Sequence, residues 1–136
     1  IDNADLIITV TPSSKPVFDA AKVKAGATIS CVGAYQYHMQ ELDPAIFARK
    51  PKIYFDSEEM VLSESGDILQ PMDQGILSKE DFTGDLGNVI KGELVGREND
   101  EEIIVYETVG VATQDLVTAK EIYDRALAAG VGMNWG

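Results

Sequence analysis

Four short runs of this sequence are apolar at nearly every position, and they constrain the fold more than any other feature. The runs cover residues 6–10, 27–32, 52–55 and 103–106. Continuous runs of this length that are rich in β-branched residues are typical of strands covered on both faces, as in a parallel sheet. Helix signals lie between the runs. This alternation predicts an α/β fold, part of a doubly wound, mainly parallel sheet with flanking helices.

Capping residues and glycines mark the helices between these runs. The pair Asp43–Pro44 predicts a helix start, with the helix continuing over residues 45–49. Ser57 predicts the cap of a helix over residues 58–64, which Gly66 is expected to end. Shorter helical segments are predicted over residues 16–23, after Ser78 and over residues 86–90.

The last helix has the clearest periodicity in the chain. Gly130 follows it in the position of a C-terminal cap. A 3.6-residue period places its apolar residues on one face: Leu116, Ala119, Ile122, Tyr123, Ala126 and Leu127.

The acidic composition excludes two classes of partner. The chain has 136 residues with 11 Lys+Arg against 23 Asp+Glu, so its formal net charge is −12 at pH 7. This charge opposes approach to nucleic acid and to an anionic membrane surface, and we expect neither as a partner. With a single cysteine and no apolar run of about 18 residues, the sequence predicts a soluble, cytoplasmic protein. Because the chain opens directly on a strand, we expect it to be a fragment of a longer protein.

The first candidate site is the loop over residues 9–14, which includes Thr11 and Pro12 and follows the first predicted strand. Ligands of open α/β sheets bind beyond the carboxyl ends of the strands, where this loop offers hydroxyls and free backbone N–H groups to a phosphate or a ribose. The alternative is a simple strand-to-helix turn, because such turns use the same residue types.

The second candidate site is the turn of Val32, Gly33, Ala34 and Tyr35 after the second predicted strand. The small residues let a flat ring approach the backbone closely, and Tyr35 places a phenol at the mouth of the same crevice. The alternative is a tight turn with Tyr35 on the surface. Cys31, in the strand, is predicted to be a buried small hydrophobic residue.

The third candidate site lies between the last strand and the last helix, over residues 107–116. The exposed amides at a helix N-terminus bind anions and polar ligands. The alternative, compatible with the first reading, is that Thr113 caps the helix and Asp115 offsets its dipole. The lone His38 is interpreted as a loop residue, and the acidic residues 98–102 as a solvated loop. No metal-ligand spacing occurs in the sequence.

Several segments, taken in order, resemble the ornithine cyclodeaminase/mu-crystallin family: residues 9–13, 32–35, 41–44, 55–57, 66–68, 96–97 and 108–116. The likeness runs over nearly the whole chain. It implies a Rossmann-like fold in which residues 1–136 form the C-terminal portion of an NAD(P)-binding domain, with residues 111–136 as a terminal helix and tail. The N-terminal substrate and dimerisation domain is then absent from this chain, and the full-length protein is expected to be a homodimer.

The resemblance also implies binding roles for three groups of residues, which match cofactor-contacting positions of the family: Thr11 and Pro12; Val32, Gly33 and Ala34; Thr108 and Val109. The implied cofactor is NAD or NADP. The family's glycine-rich phosphate fingerprint and its ribose-binding acid do not occur in this sequence, and we expect both before Ile1.

The family's chemistry is hydride transfer on small amino acids or cyclic imines. Ornithine cyclodeaminases have an aspartate where this sequence has Tyr35, and a lysine where it has Met39. We expect a nicotinamide-dependent enzyme of the ornithine cyclodeaminase type with Tyr35 as its catalytic residue, no metal, and no activity in the fragment alone. The alternatives are an imine or ketimine reductase, an amino-acid dehydrogenase, or a non-catalytic NAD(P) or small-ligand binder of the mu-crystallin type.

Overall fold

A parallel sheet forms the centre of the protein. The computed structural model describes residues 1–133 and residue 135. Within that part of the chain the sheet has the strands β1 (Leu6–Thr9), β2 (Thr28–Cys31), β3 (Lys52–Phe55), β4 (Gly84–Asp85) and β5 (Ile104–Glu107). They lie in the order β1-β2-β5-β3-β4, and every neighbouring pair is parallel. The predicted α/β, Rossmann-like fold is confirmed.

Helices alternate with these strands. The α-helices are α1 (Glu58–Glu64), α2 (Gly66–Asp73), α3 (Leu86–Ile90) and α4 (Ala112–Ala129), and shorter 3-10 helices span Ala20–Lys22, Pro44–Arg49 and Lys79–Asp81. Asp43 and Ser57 cap the helices that the sequence predicts for them. A side-chain oxygen of Asp43 accepts from the N–H of Ala45 at 3.0 Å, and Ser57 Oγ accepts from the N–H of Met60 at 3.5 Å.

Gly66 does not end a helix, as the sequence suggested; it begins α2. The break between α1 and α2 is at Ser65, whose backbone is extended. A Cβ on Gly66 would lie 1.9 Å from the carbonyl oxygen of Met39, so the glycine allows the start of α2 to lie directly against the loop before the second 3-10 helix. This approach brings Asp67 into the core.

The core lies on one face of the sheet. Its central row pairs one residue from each of four neighbouring strands: Ile7, Ile29, Val105 and Ile53. Leu6 and Ile8 of β1 point to the opposite face and are 56% and 59% exposed. No described residue shields these two side chains, so the part of the chain that the structure describes covers only one face of β1.

The apolar face predicted for the last helix exists but is open. No residue of α4 is buried, and Leu116 and Ile122 are 71% and 63% exposed. Gly130 ends the helix in the left-handed conformation, as predicted. Thr113 does not cap it, because Val111 occupies the capping position and makes no side-chain hydrogen bond there. Among the described residues, no helix combines the length and apolarity needed to cross a membrane.

Candidate functional site

The carboxyl ends of β1, β2 and β5 lie side by side. Thr9, Cys31 and Glu107 are paired in register across these strands. The N–H of Val32 donates to the carbonyl of Thr9 at 2.9 Å, and the N–H of Thr108 donates to the carbonyl of Cys31 at 3.0 Å. Three predicted binding segments therefore begin at the same edge of the sheet: Thr11 with Pro12, Val32 to Ala34, and Thr108 with Val109.

The first two of these segments are in direct backbone contact. A Cβ on Gly33 would lie 2.2 Å from the carbonyl oxygen of Thr11 and 2.5 Å from Oε2 of Glu41. Such separations leave no room for a side chain, so only glycine allows the turn after β2 to reach the loop after β1. Thr11 and Pro12 remain exposed on the outer side of this junction.

Glu41 joins the same two segments through its side chain, a role that its sequence context alone does not reveal. The residue is fully buried. Its Oε1 accepts the N–H of Thr11, and its Oε2 accepts the N–H of Gly33 at 2.8 Å. The one sequence signal for it was its place in segment 41–44, which carries part of the family resemblance. Without that resemblance, a charged residue just before a helix cap is predicted to be exposed to solvent.

Three amides in and directly after the loop that follows β1 already have partners within the chain, which leaves fewer of them for a phosphate. Glu41 takes the N–H of Thr11, Thr11 Oγ1 accepts the N–H of Ser13 at 3.3 Å, and Ser13 Oγ accepts the N–H of Lys15 at 3.2 Å. Each of these donors has a partner within the chain. The loop therefore presents hydroxyl groups and apolar surface, which suit a ribose or a ring better than a phosphate.

Thr108 is fixed by the neighbouring strand end. Its hydroxyl donates to Oδ2 of Asp56 and accepts the N–H of Gly110 at 3.1 Å. Val109 is half-buried and packs against the core. The loop before α4 therefore has a fixed backbone, with Gly110 at φ +88°, a conformation that favours glycine.

Tyr35 lies at the exposed end of the second segment. The side chain is 46% exposed, whereas the preceding Ala34 is fully buried. Among the described residues, no hydrogen bond involves the side chain of Tyr35 or of His38, which is also exposed. The neighbouring Tyr37 instead donates to Oδ2 of Asp73 at 2.7 Å, which raises the pKa of the Tyr37 phenol. Tyr35 is thus accessible to a ligand, and no described side chain orients its phenol.

A buried cluster of Cys31, Asp67 and Glu107 lies under the strand ends. One potential ligand atom from each side chain lies within 4.8 Å of the others. Burial raises the pKa of Asp67 to about 6, and it raises the pKa of Glu107 well above its usual range, with the Asp67 charge adding to the effect. Burial also raises the pKa of the Cys31 thiol, so this cysteine is the inert, buried residue that the sequence predicts.

The two carboxyl groups of the cluster are only half satisfied. Asp67 Oδ1 accepts two backbone N–H groups and Glu107 Oε1 accepts the hydroxyl of Ser65 at 2.7 Å, but Asp67 Oδ2 and Glu107 Oε2 have no partner among the described residues. Buried charge of this kind is neutralised by protons or by a cation. Thiolate and carboxylate groups are also zinc ligands. This cluster of described residues could therefore hold a metal ion. Its members are too far apart in sequence to form a recognisable spacing.

A model described as the ornithine cyclodeaminase/mu-crystallin family matches residues 1–130. The chain belongs to this family. A Delta(1)-pyrroline-2-carboxylate reductase of Bacillus cereus is 41% identical over 132 residues, which cover 97% of this chain and 40% of the relative. The chain therefore spans about two fifths of the length of the curated relatives that it matches.

Two solved structures resemble nearly the whole of this chain. The Delta(1)-pyrroline-2-carboxylate reductase of Thermococcus litoralis, in complex with NADH and L-proline, superimposes with a TM-score of 0.86 at 37% identity over 98% of this chain and 41% of that one. An archaeal alanine dehydrogenase dimer with bound NAD superimposes with a TM-score of 0.80 at 39% identity over 97% of this chain and 41% of that one.

Proposed function

We propose that the full-length protein reduces a cyclic imine of a small α-amino acid with NADH or NADPH, and that Δ1-pyrroline-2-carboxylate is such a substrate. The observation that carries this proposal is the superposition of 98% of the chain on a reductase that binds NADH and L-proline. L-proline is the product expected when the C=N bond of that imine is reduced. The chain then forms the C-terminal portion of the NAD(P)-binding domain over residues 1–136, with residues 111–136 as its terminal helix and tail.

The strand ends fit the nucleoside portions of a dinucleotide. The half-buried Val32 and Val109 offer apolar surface for a ring, on either side of a junction that the buried Gly33 keeps close-packed. Thr11 adds an exposed hydroxyl, while its amide is already used by Glu41. We propose that Thr11, Pro12, Val32, Gly33, Ala34, Thr108 and Val109 contact the cofactor. Because the amides of Thr11 and Gly33 are taken, the pyrophosphate is expected to bind to other residues.

The reaction needs one hydride and one proton. The hydride adds to the α-carbon of the imine, the C=N π bond breaks, and the nitrogen takes up the proton to give the secondary amine. When bound, the reduced nicotinamide supplies the hydride. We propose Tyr35 as the proton donor, because its exposed phenol lies at the end of the turn assigned to the cofactor. No other described side chain forms a hydrogen bond with this phenol. Solvent then returns the proton to Tyr35.

A second candidate is cyclodeamination of L-ornithine, a lyase reaction that uses the same hydride transfer in both directions. A probable ornithine cyclodeaminase from Bordetella pertussis superimposes with a TM-score of 0.80 at 30% identity, which favours it. With either activity we propose a homodimeric, cytoplasmic full-length protein, and we expect the 136-residue chain alone to be inactive.

An assay on the purified full-length protein tests the proposal. Δ1-pyrroline-2-carboxylate is offered with NADH and, separately, with NADPH, while nicotinamide oxidation and L-proline formation are followed in one sample. The proposal predicts equal amounts of oxidised cofactor and L-proline. Release of ammonia from L-ornithine with catalytic NAD, without imine reduction, would establish the cyclodeaminase instead. Cofactor binding without turnover of either substrate would support a non-catalytic binding protein.

A further inference from the structure

We propose that Glu41 is a positioning residue for the nicotinamide dinucleotide: it joins the loop after β1 to the turn after β2 and fixes their relative position before the cofactor arrives. This inference rests on the proposed function, because those two segments are the ones assigned to the cofactor. Glu41 itself is fully buried and does not reach the cofactor surface. It acts through Thr11 and Gly33.

The Glu41 carboxylate offers one acceptor oxygen to each of the two segments. The two segments each direct one backbone N–H at the carboxylate, and each oxygen accepts one: Oε1 from Thr11 and Oε2 from Gly33. An ionised acceptor makes such bonds shorter and stronger than a neutral one. Both oxygens of a single buried group are therefore needed to hold the two loops, and an uncharged amide side chain cannot accept at both positions.

The backbone of Glu41 is fixed independently of its side chain. Its N–H and that of Leu42 donate to Oδ1 of Asp67 at 2.7 and 2.8 Å, and its carbonyl accepts the N–H of Val17 at 2.9 Å. The N–H of Gln40 also donates to a carbonyl of the loop after β1, that of Ser13, at 2.8 Å. Asp67 at the start of α2 thus anchors Glu41 to the core, and Glu41 anchors the two loops.

This arrangement lowers the cost of binding. Loops that are ordered only by a ligand reduce its affinity, because their conformational entropy is lost at binding. Here the junction is already formed: the Gly33 backbone lies against Thr11, and both amides are occupied. Loss of one oxygen acceptor leaves one buried amide unpaired and frees one loop to move.

Glu41→Gln in the full-length protein tests the inference, with Asp43→Asn as the matched control. The carboxylate of Asp43 also accepts two backbone N–H groups, from Ala20 and Ala45, but touches neither cofactor segment. We expect Glu41→Gln to raise the dissociation constant of NADH and its KM about tenfold, because NADH must then re-order a loop that one charge-assisted hydrogen bond holds in wild type. Asp43→Asn should lower the melting temperature and leave both constants unchanged.

Three outcomes separate the inference from the proposed function. If wild-type protein binds neither NADH nor NADPH, both fail. If wild type binds NADH and Glu41→Gln binds it equally well, the inference is overturned. A melting temperature lowered as in Asp43→Asn would then show that the role of Glu41 is only structural. Amide hydrogen exchange of the unliganded wild type decides the matter if the variant does not fold: slow exchange at Thr11 and Gly33 is expected, and rapid exchange overturns the preformed junction.

Discussion

Asp67→Asn should stabilise the protein at neutral pH, although it removes a buried charged group. Asp67 Oδ1 accepts the backbone N–H groups of Glu41 and Leu42, and an asparagine carbonyl can accept both. The oxygen without a partner among the described residues, Oδ2, becomes an amide that can donate to the nearby carboxyl group of Glu107. The substitution therefore keeps the useful hydrogen bonds and removes the electrostatic cost.

The size and the pH window of this gain follow from the raised pKa. Burial moves the pKa of Asp67 from 3.8 to about 6, so between these values the folded protein holds a proton that the unfolded chain has released. The wild type therefore loses stability as the pH rises through this window. A shift of about two pKa units corresponds to about 3 kcal/mol. Asparagine does not titrate, so the variant gains up to that amount over wild type at higher pH.

Urea denaturation of wild type and variant across about pH 4 to pH 7 measures the effect. Taking the difference in unfolding free energy between the two proteins removes the contribution of all other titrating groups. We expect this difference to grow with pH in favour of Asp67→Asn. Glu107→Gln should also give a gain, and the double variant should gain less than the sum of the two, because each substitution relieves the same repulsion. A difference that is constant with pH, or that shrinks as pH rises, would refute the reasoning.

Two further substitutions test the surface above this cluster. Gly33→Ala should cost about 1–3 kcal/mol of unfolding free energy, because its Cβ would meet the Thr11 carbonyl at 2.2 Å; denaturation that matches wild type would contradict the backbone contact. Tyr35→Phe should leave unfolding unchanged, since the side chain is exposed, but should lower kcat of the full-length enzyme about 100-fold if the phenol supplies the proton. An unchanged kcat would remove Tyr35 from the proposed chemistry.

Much of the fold follows from local sequence features. The apolar runs specify four of the strands, and Asp43 and Ser57 specify helix starts through their own side chains. Features that depend on tertiary contacts could not be predicted from the sequence. The insertion of β5 between β2 and β3 has no local signal, and the two-residue strand β4 is too short for a pattern. Periodicity predicted the apolar face of α4, but it carries no information on what covers that face.

The candidate site was predictable to a similar extent. The sequence placed Thr11, Gly33 and Thr108 at strand ends, and the parallel register brings those ends together. It did not reveal Glu41 or Asp67, because acidic residues in loops and at helix starts are normally solvated. Their burial arises from the packing of α2 against the loop that precedes the second 3-10 helix, a contact between residues distant in sequence. The buried Glu41 also occupies the amide of Thr11, one of the loop amides expected to be free for a ligand.

A crystal structure of the full-length protein with NADH tests the central claim most directly. We predict that the dinucleotide lies across the carboxyl ends of β1, β2 and β5, with the nicotinamide beside Thr108 and Val109. The amides of Thr11 and Gly33 should still be bonded to Glu41. A cofactor bound at another surface of this chain, or a Glu41 carboxylate released from both amides, would contradict it.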